Sequence, residues 1–240
     1  MVKYRVKIIK IKEESKGTVT YLLEKPRDFT WLAGAHTHIG LVGFDAGEKP
    51  NKDLVRHMSI MTLPEENCIG FTTKFTAEPS EFKERLGKLG VGDEIIIFKI
   101  GCRMALRREY KKIVLLSMGV GIATMRPLVL DYKKNGSGIK SLVSINVNST
   151  KDYLYKDELD GMMDDSYCNF WVDSRKTFYE ELEKASTEGD GIYYLVGSYE
   201  FLLEVIAFLG KKGIEQDSIV IDKPEIQLPH YFDELIKHKH

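Results

Sequence analysis

The chain has 240 residues, 43% of them hydrophobic and 30% charged, and a net charge of −1. That length accommodates one large domain or two small ones, burying roughly 70% or more of the unfolded surface, while the balanced charge excludes a basic field aimed at nucleic acid or anionic membrane. The cysteines Cys68, Cys102 and Cys168 are odd in number and far apart, against a disulfide framework or a CxxC metal or iron–sulfur site; with no apolar run near the ~20 residues of a bilayer span and no leader at Met1, the expected location is the cytoplasm.

The first hundred residues carry a period of two. In "VKYRVKI", Val2, Tyr4, Val6 and Ile8 share a face; in "CIGFTTKF", Ile69, Phe71, Thr73 and Phe75 do. "TVTYLLE", "HTHIGLV", "RHMSIMT" and "DEIIIFKI" are further β-like runs. About six short strands broken by glycine and proline predict a small antiparallel β-barrel or sandwich. One segment departs from this rhythm. "SEFKERLGKLG" spaces Phe82, Leu86 and Leu89 as a helix does, with Ser80 as its N-cap. His36 and His38 share a strand face, a spacing that suits either a metal or a barrel surface. No third ligand is near in sequence, and the surface reading is preferred, so no metal site is expected.

A charged stretch, "LRREYKK", separates this half from one with another rhythm. The boundary is placed so that residues 1–106 form the barrel domain and 107–240 an α/β domain. "IVLLSM", "SLVSINV", "NFWVD", "IYYLVG" and "SIVID" are five strand candidates, several apolar throughout, and helical stretches separate most of them. Strands buried on both faces and alternating with helices predict a five-stranded parallel sheet with right-handed crossovers. The helix after "VGSYE" aligns Leu202, Val205, Ile206 and Leu209, then ends in Lys211, Lys212 and Gly213.

"GVGIATMRP", Gly119 to Pro127, joins the first of these strands to a helix. Gly119 allows the chain to leave the strand with positive φ, and Gly121 omits a side chain where a phosphate would approach the backbone. The helix start offers unpaired N–H groups and the positive end of a dipole, and Pro127 suits a first turn. Two glycines alone serve a phosphate site or a plain βα turn. "VGSYE" repeats the arrangement with Gly197 and Ser198. In a parallel sheet both turns open at the C-terminal edge, where ligands bind. In the first half, Arg56 in "RHMS" is either an exposed strand residue or a planar grip for phosphate. Ser80 is a helix cap or an anion site.

Taken in order, the arginine–x–x–serine strand, the serine-capped helix, the G-x-G turn and the V-G-S turn resemble the ferredoxin–NADP reductase superfamily. The likeness runs from "WLAGAHTHIGL" to "IVIDK", and "FTTK…PSEFKERL…GDEI" is most similar to the compact bacterial flavin reductases. The resemblance implies a barrel that binds FAD and a sheet that binds NADPH or NADH. It implies that Arg56 contacts the FAD pyrophosphate and that His57 and Met58 border the flavin. Ser59 would lie beside the reactive N5, and Thr73 and Lys74 would line the ring. Ser80 would take the diphosphate. Gly119, Gly121, Ile122, Ala123 and Thr124 would hold the nicotinamide cofactor's phosphates, with Gly197 and Ser198 near the nicotinamide; Ser59 and Asp222 would be the catalytic residues, Asp222 orienting either the nicotinamide or the proton path.

There are departures from the pattern. Met58 stands where an aromatic residue is usual, Thr124 replaces a proline, Ala35 a glutamine, and Asp222-Lys223-Pro224 lacks an aromatic. Tyr231 or Phe232 would either cover a ring or anchor a tail helix. At the tip of the second parallel strand, "NSTKD" offers no acid or arginine to select NADH or NADPH, with a slight lean to NADPH. The function implied is hydride transfer from NAD(P)H to FAD, then electrons to a separate acceptor, either a protein (ferredoxin, flavodoxin, an oxygenase) or a small oxidant. The alternatives are a non-enzymatic flavin- or nucleotide-binding regulatory subunit and an S-adenosylmethionine methyltransferase.

Overall fold

The structure, a computed structural model, describes residues 2–187 and 189–237. The chain divides into two compact units, Met1–Ala105 and Leu106–His240.

In the first unit the expected runs form six antiparallel strands: β1 (Lys3–Ser15), β2 (Thr18–Glu24), β3 (Ala35–Leu41), β4 (Val55–Ser59), β5 (Cys68–Lys74) and β6 (Glu94–Cys102). Their order is β4-β3-β6-β1-β2-β5. Just after β4, the Met61 amide donates to the Gly70 carbonyl of β5 at 2.8 Å, drawing the two outer strands together. Alternation places Val6, Ile8, Tyr21, Ile39, Ile69 and Phe71 in one core. The helix α1 (Glu81–Leu86) is shorter than the spacing through Leu89 predicts, because the chain leaves it at Gly87. Phe82 and Leu86 are wholly buried, each worth about 2 kcal/mol of apolar burial. Leu89, past the helix, still packs on the same core.

The second unit has β7 (Lys111–Met118), α2 (Ile122–Lys134), β8 (Ile139–Val147), α3 (Lys156–Asp160), β9 (Tyr167–Val172), α4 (Arg175–Ser186), β10 (Gly191–Val196), α5 (Tyr199–Lys211), β11 (Ile219–Ile221) and α6 (Pro229–Lys237). The five strands lie in the order β11-β10-β7-β8-β9, all parallel. Branched side chains such as Ile113, Val114, Leu115 and Leu116 are wholly buried, as a sheet covered on both faces requires. Leu202, Val205, Ile206 and Leu209 of α5 are buried on it. Tyr231 and Phe232 join this core, with Tyr231 edge-on to Tyr199 at 5.3 Å between ring centroids. They anchor α6 on α5. Pro127 is not in a first turn: α2 begins at Ile122, so the proline is its sixth residue. Its ring removes the N–H that would reach back to Ala123.

Candidate functional site

Each unit presents its own set of candidate residues. In the barrel, β4 runs antiparallel to β3, with His36 opposite Ser59, Thr37 opposite Met58, His38 opposite His57 and Ile39 opposite Arg56. The period of two therefore divides "RHMS" between two faces. Arg56 and Met58 lie on the face of Thr37 and Ile39; His57 and Ser59 lie on the face of the other histidines.

Arg56 is half-buried. Its Nη1 donates to the carbonyls of Val55 (2.7 Å) and Asp53 (3.1 Å), while Nε and Nη2 take no hydrogen-bond partner among the described residues. The guanidinium lies 5.5 Å from the centroid of the Phe82 ring in α1. Lys83, the next residue, donates to the Lys74 carbonyl at 2.5 Å. Burial, and secondly the positive Arg56, push the Lys83 ammonium below the ordinary lysine range. Two cations on neighbouring elements fit an anionic ligand, which would favour the charged form of Lys83. Ser80 is the N-cap residue of α1, but its side chain makes no capping bond; it is exposed, as is Lys74, whereas Thr73 is buried. Met58 is half-buried and packs on the barrel core.

Of the two histidines expected on the barrel surface, His38 is half-buried and His36 is not a surface residue. His36 is buried, its ring centroid 4.1 Å from that of His57. Arg103 Nη1 lies 3.1 Å from His36 Nε2 and 3.4 Å from His57 Nε2. A guanidinium only donates, so these contacts require neutral rings with Nε2 as acceptor. Burial, then His57, Arg103 and His38, drive the His36 pKa down to about 3. The physical reason for the burial is the β3–β6 pairing. Its register shifts between His36 and His38, where Lys99 takes a φ of +52°, and a Cβ on Gly101 would come within 2.7 Å of His36 Nε2.

In the second unit the two glycine turns follow adjacent strands, since Val196 at the end of β10 pairs with Ser117 of β7. Gly119 has a φ of +53°, the left-handed conformation that favours glycine. Gly119–Gly121 form a 3₁₀ turn leading into α2. Gly121 is required for a reason other than phosphate approach: a Cβ there would lie 2.8 Å from the Val196 carbonyl oxygen. Ile122, Ala123 and Thr124 are buried, so their side chains belong to the core, and the Ile122 N–H donates back to the Gly119 and Val120 carbonyls of the turn. Ser198 caps α5, its Oγ accepting from the Phe201 amide at 3.2 Å. Gly197 leaves space that a Cβ would contest with the Phe201 ring at 2.3 Å. At the tip of β8, Thr150 Oγ1 donates to Asn148 Oδ1 at 3.0 Å, and Lys151 is paired with Asp173 at 2.8 Å. Asp222 is half-buried directly after β11.

Three contributors were absent from the sequence reading: Lys83, Arg103 and Asn146. Lys83 is within the helix already singled out, three residues past Ser80, so helical geometry alone could have found it. Arg103 lies beyond a strand whose register shift has no sequence signature. Asn146 is buried on β8 and donates across to the Gly119 carbonyl at 3.3 Å; its strand pattern reads simply as apolar.

No protein-family model and no curated protein sequence match the chain. Solved structures do. A ferredoxin NADP+ reductase from Neisseria gonorrhoeae, crystallised with FAD and NADP, superposes with a TM-score of 0.77 at 14% identity, covering 92% of this chain and 98% of that one. The cytochrome b5 reductase domain of Ulva prolifera nitrate reductase gives 0.74 at 17% identity, covering 92% and 97%. The flavohaem-like FAD/NAD-binding domain of a nitric oxide dioxygenase from Vibrio cholerae O1 biovar El Tor gives 0.71 at 17%, covering 91% and 97%. At such identities the likeness is one of fold. The chain has the two-domain fold of the ferredoxin–NADP reductase-like proteins, a six-stranded antiparallel unit followed by a five-stranded parallel one.

Proposed function

We propose that this protein is an FAD-dependent oxidoreductase that takes hydride from NADH or NADPH and passes electrons to a separate acceptor. The observation that carries this reading is the placement of two cations at α1, Arg56 over the Phe82 ring with its Nε and Nη2 unused among the described residues and Lys83 next to Phe82, in a unit whose fold is shared with FAD-binding proteins. An FAD diphosphate meets both charges, and the phosphates of a nicotinamide cofactor meet the backbone N–H groups at the Gly119 and Gly197 turns. Bound FAD would supply the chemistry, accepting a hydride and releasing electrons singly or in pairs.

The protein's own part is placement. Arg56 and Lys83 hold the diphosphate, with Ser80 and Lys74 at its border. Met58 packs its polarizable sulfur on the ring in place of an aromatic. Ser59 holds a hydroxyl at the ring edge, favouring the protonated form of the reduced flavin. Thr73 supports the ring from within the barrel, and His57 closes its far side. Asp222, Gly197 and Ser198 serve the nicotinamide end. Hydride transfer needs donor and acceptor about 3–3.5 Å apart and no strong acid or base. The acceptor is a protein such as a ferredoxin, flavodoxin or oxygenase component, or a small oxidant.

The test is reconstitution. Apoprotein titrated with FAD should quench flavin fluorescence stoichiometrically, and riboflavin, lacking the diphosphate, should bind much more weakly. Equal affinity for FAD and riboflavin would contradict the role of the cation pair.

A further inference from the structure

Asn146 is 1% exposed, in the middle of a parallel sheet. Its Nδ2 donates to Ser117 Oγ at 2.9 Å, to the Ser117 carbonyl at 3.3 Å and to the Gly119 carbonyl at 3.3 Å. Its Oδ1 is buried with no hydrogen-bond partner among the described residues. Burying an amide oxygen unsatisfied costs stability, so packing alone favours leucine here. What the amide does accomplish is confined to the end of β7 and the first peptide of the turn.

That peptide has a direction. Peptide units are planar and trans, so the Gly119 carbonyl and the Val120 N–H point opposite ways. The Ile122 N–H of the turn already donates to this carbonyl, and the Asn146 amide adds a second donor from β8, holding it inwards. The Val120 N–H is thereby turned outwards, and as one of the first donors of the 3₁₀ turn it has no partner within that turn. Gly119 tolerates this only through its positive φ. The amide and the glycine thus act on one peptide from two sides. We infer that Asn146 is a positioning residue for the dinucleotide phosphate: it fixes the Gly119–Val120 peptide so that the Val120 N–H faces the ligand. The inference rests on the nicotinamide-dinucleotide reading of this turn.

The test uses the FAD-loaded protein and oxidised NAD+ and NADP+, which bind without reducing it. In wild type, the Val120 amide resonance should move on saturation, with affinity measured calorimetrically. Asn146→Leu should bind the better of the two about tenfold more weakly, the loss of one oriented donor, with an unchanged or raised thermal midpoint. Gly119→Ala should lose affinity similarly, and the double variant should lose little more than either, since both act through one peptide. If the Leu variant does not fold, the Val120 resonance still decides: a dinucleotide that binds without moving it overturns the role. Undiminished affinity in Asn146→Leu, or full additivity with Gly119→Ala, overturns it as well. Wild type that binds neither dinucleotide overturns the nucleotide reading itself, a distinct result.

Discussion

The candidate groups of the two units differ in kind. In the barrel the candidate groups are side chains: Arg56 comes from β4 and Lys83 from α1, and burial and then Arg56 disfavour the charged form of Lys83. In the parallel sheet they are main-chain groups at two turns, and the side chains of Ile122, Ala123 and Thr124 are buried. A cation site depends on particular residues at the ends of flexible stems, and its energy falls away when one is removed. A backbone site depends on the packing that shapes the turn. The first should therefore fail by losing ligand with the fold intact, and the second by losing local structure first.

Arg56→Ala is the strongest test of the first half of this contrast. A charge-assisted contact contributes about 1.5–3 kcal/mol, so FAD affinity should fall by roughly ten- to a hundredfold while the thermal midpoint of the apoprotein stays put. Flavin absorbance per protein after dilution and gel filtration reads the first, and calorimetry the second. Gly121→Ala tests the other half. Its Cβ meets the Val196 carbonyl, a backbone atom that cannot swing aside, and overpacking of this kind costs about 1–3 kcal/mol. Thermal unfolding of the second unit should come earlier, with FAD occupancy retained. Loss of flavin with an unchanged unfolding midpoint would contradict this packing role of Gly121.

A smaller effect concerns pH. The Lys83 pKa lies below the ordinary lysine value, because of burial and then Arg56. A bound anion favours the charged form, so FAD affinity should be full at neutral pH. It should decline as pH rises through that lowered pKa, several-fold overall. In Lys83→Gln the affinity should be lower and flat over the same range. A wild-type profile without this alkaline decline would show that Lys83 does not face the ligand. Ser59→Ala should have the least effect: one neutral hydrogen bond, ~1 kcal/mol, hence a several-fold slower flavin reduction at unchanged FAD affinity. Stopped-flow reduction without oxygen measures it, and an unchanged rate constant would make Ser59 an ordinary strand hydroxyl.

Much of the architecture was legible because burial imposes its periods on the sequence. The alternation of "CIGFTTKF" and the continuous apolar run of "IVLLSM" became β5 and β7. Gly119 was legible as well, since positive φ leaves few other choices. What the sequence hid were effects of register and neighbouring strands. Gly121 reads as a phosphate glycine, and the structure adds a packing need that the sequence does not show, from Val196, seventy-five positions away. His36 and His38 read as surface residues until the shifted β3–β6 pairing and Arg103 cover His36. Asn146 was invisible because its partner is a turn on the adjacent strand. Pro127 misled because α2 starts five residues before it, at Ile122, so the proline falls past the first turn.

The proposed hydride transfer from a nicotinamide cofactor to FAD is decided by anaerobic titration of the FAD-loaded protein with NADH and with NADPH. At least one should bleach the flavin absorbance with an endpoint of about one equivalent, as a two-electron donor and a two-electron acceptor require. An FAD-loaded protein whose spectrum neither cofactor changes would contradict it.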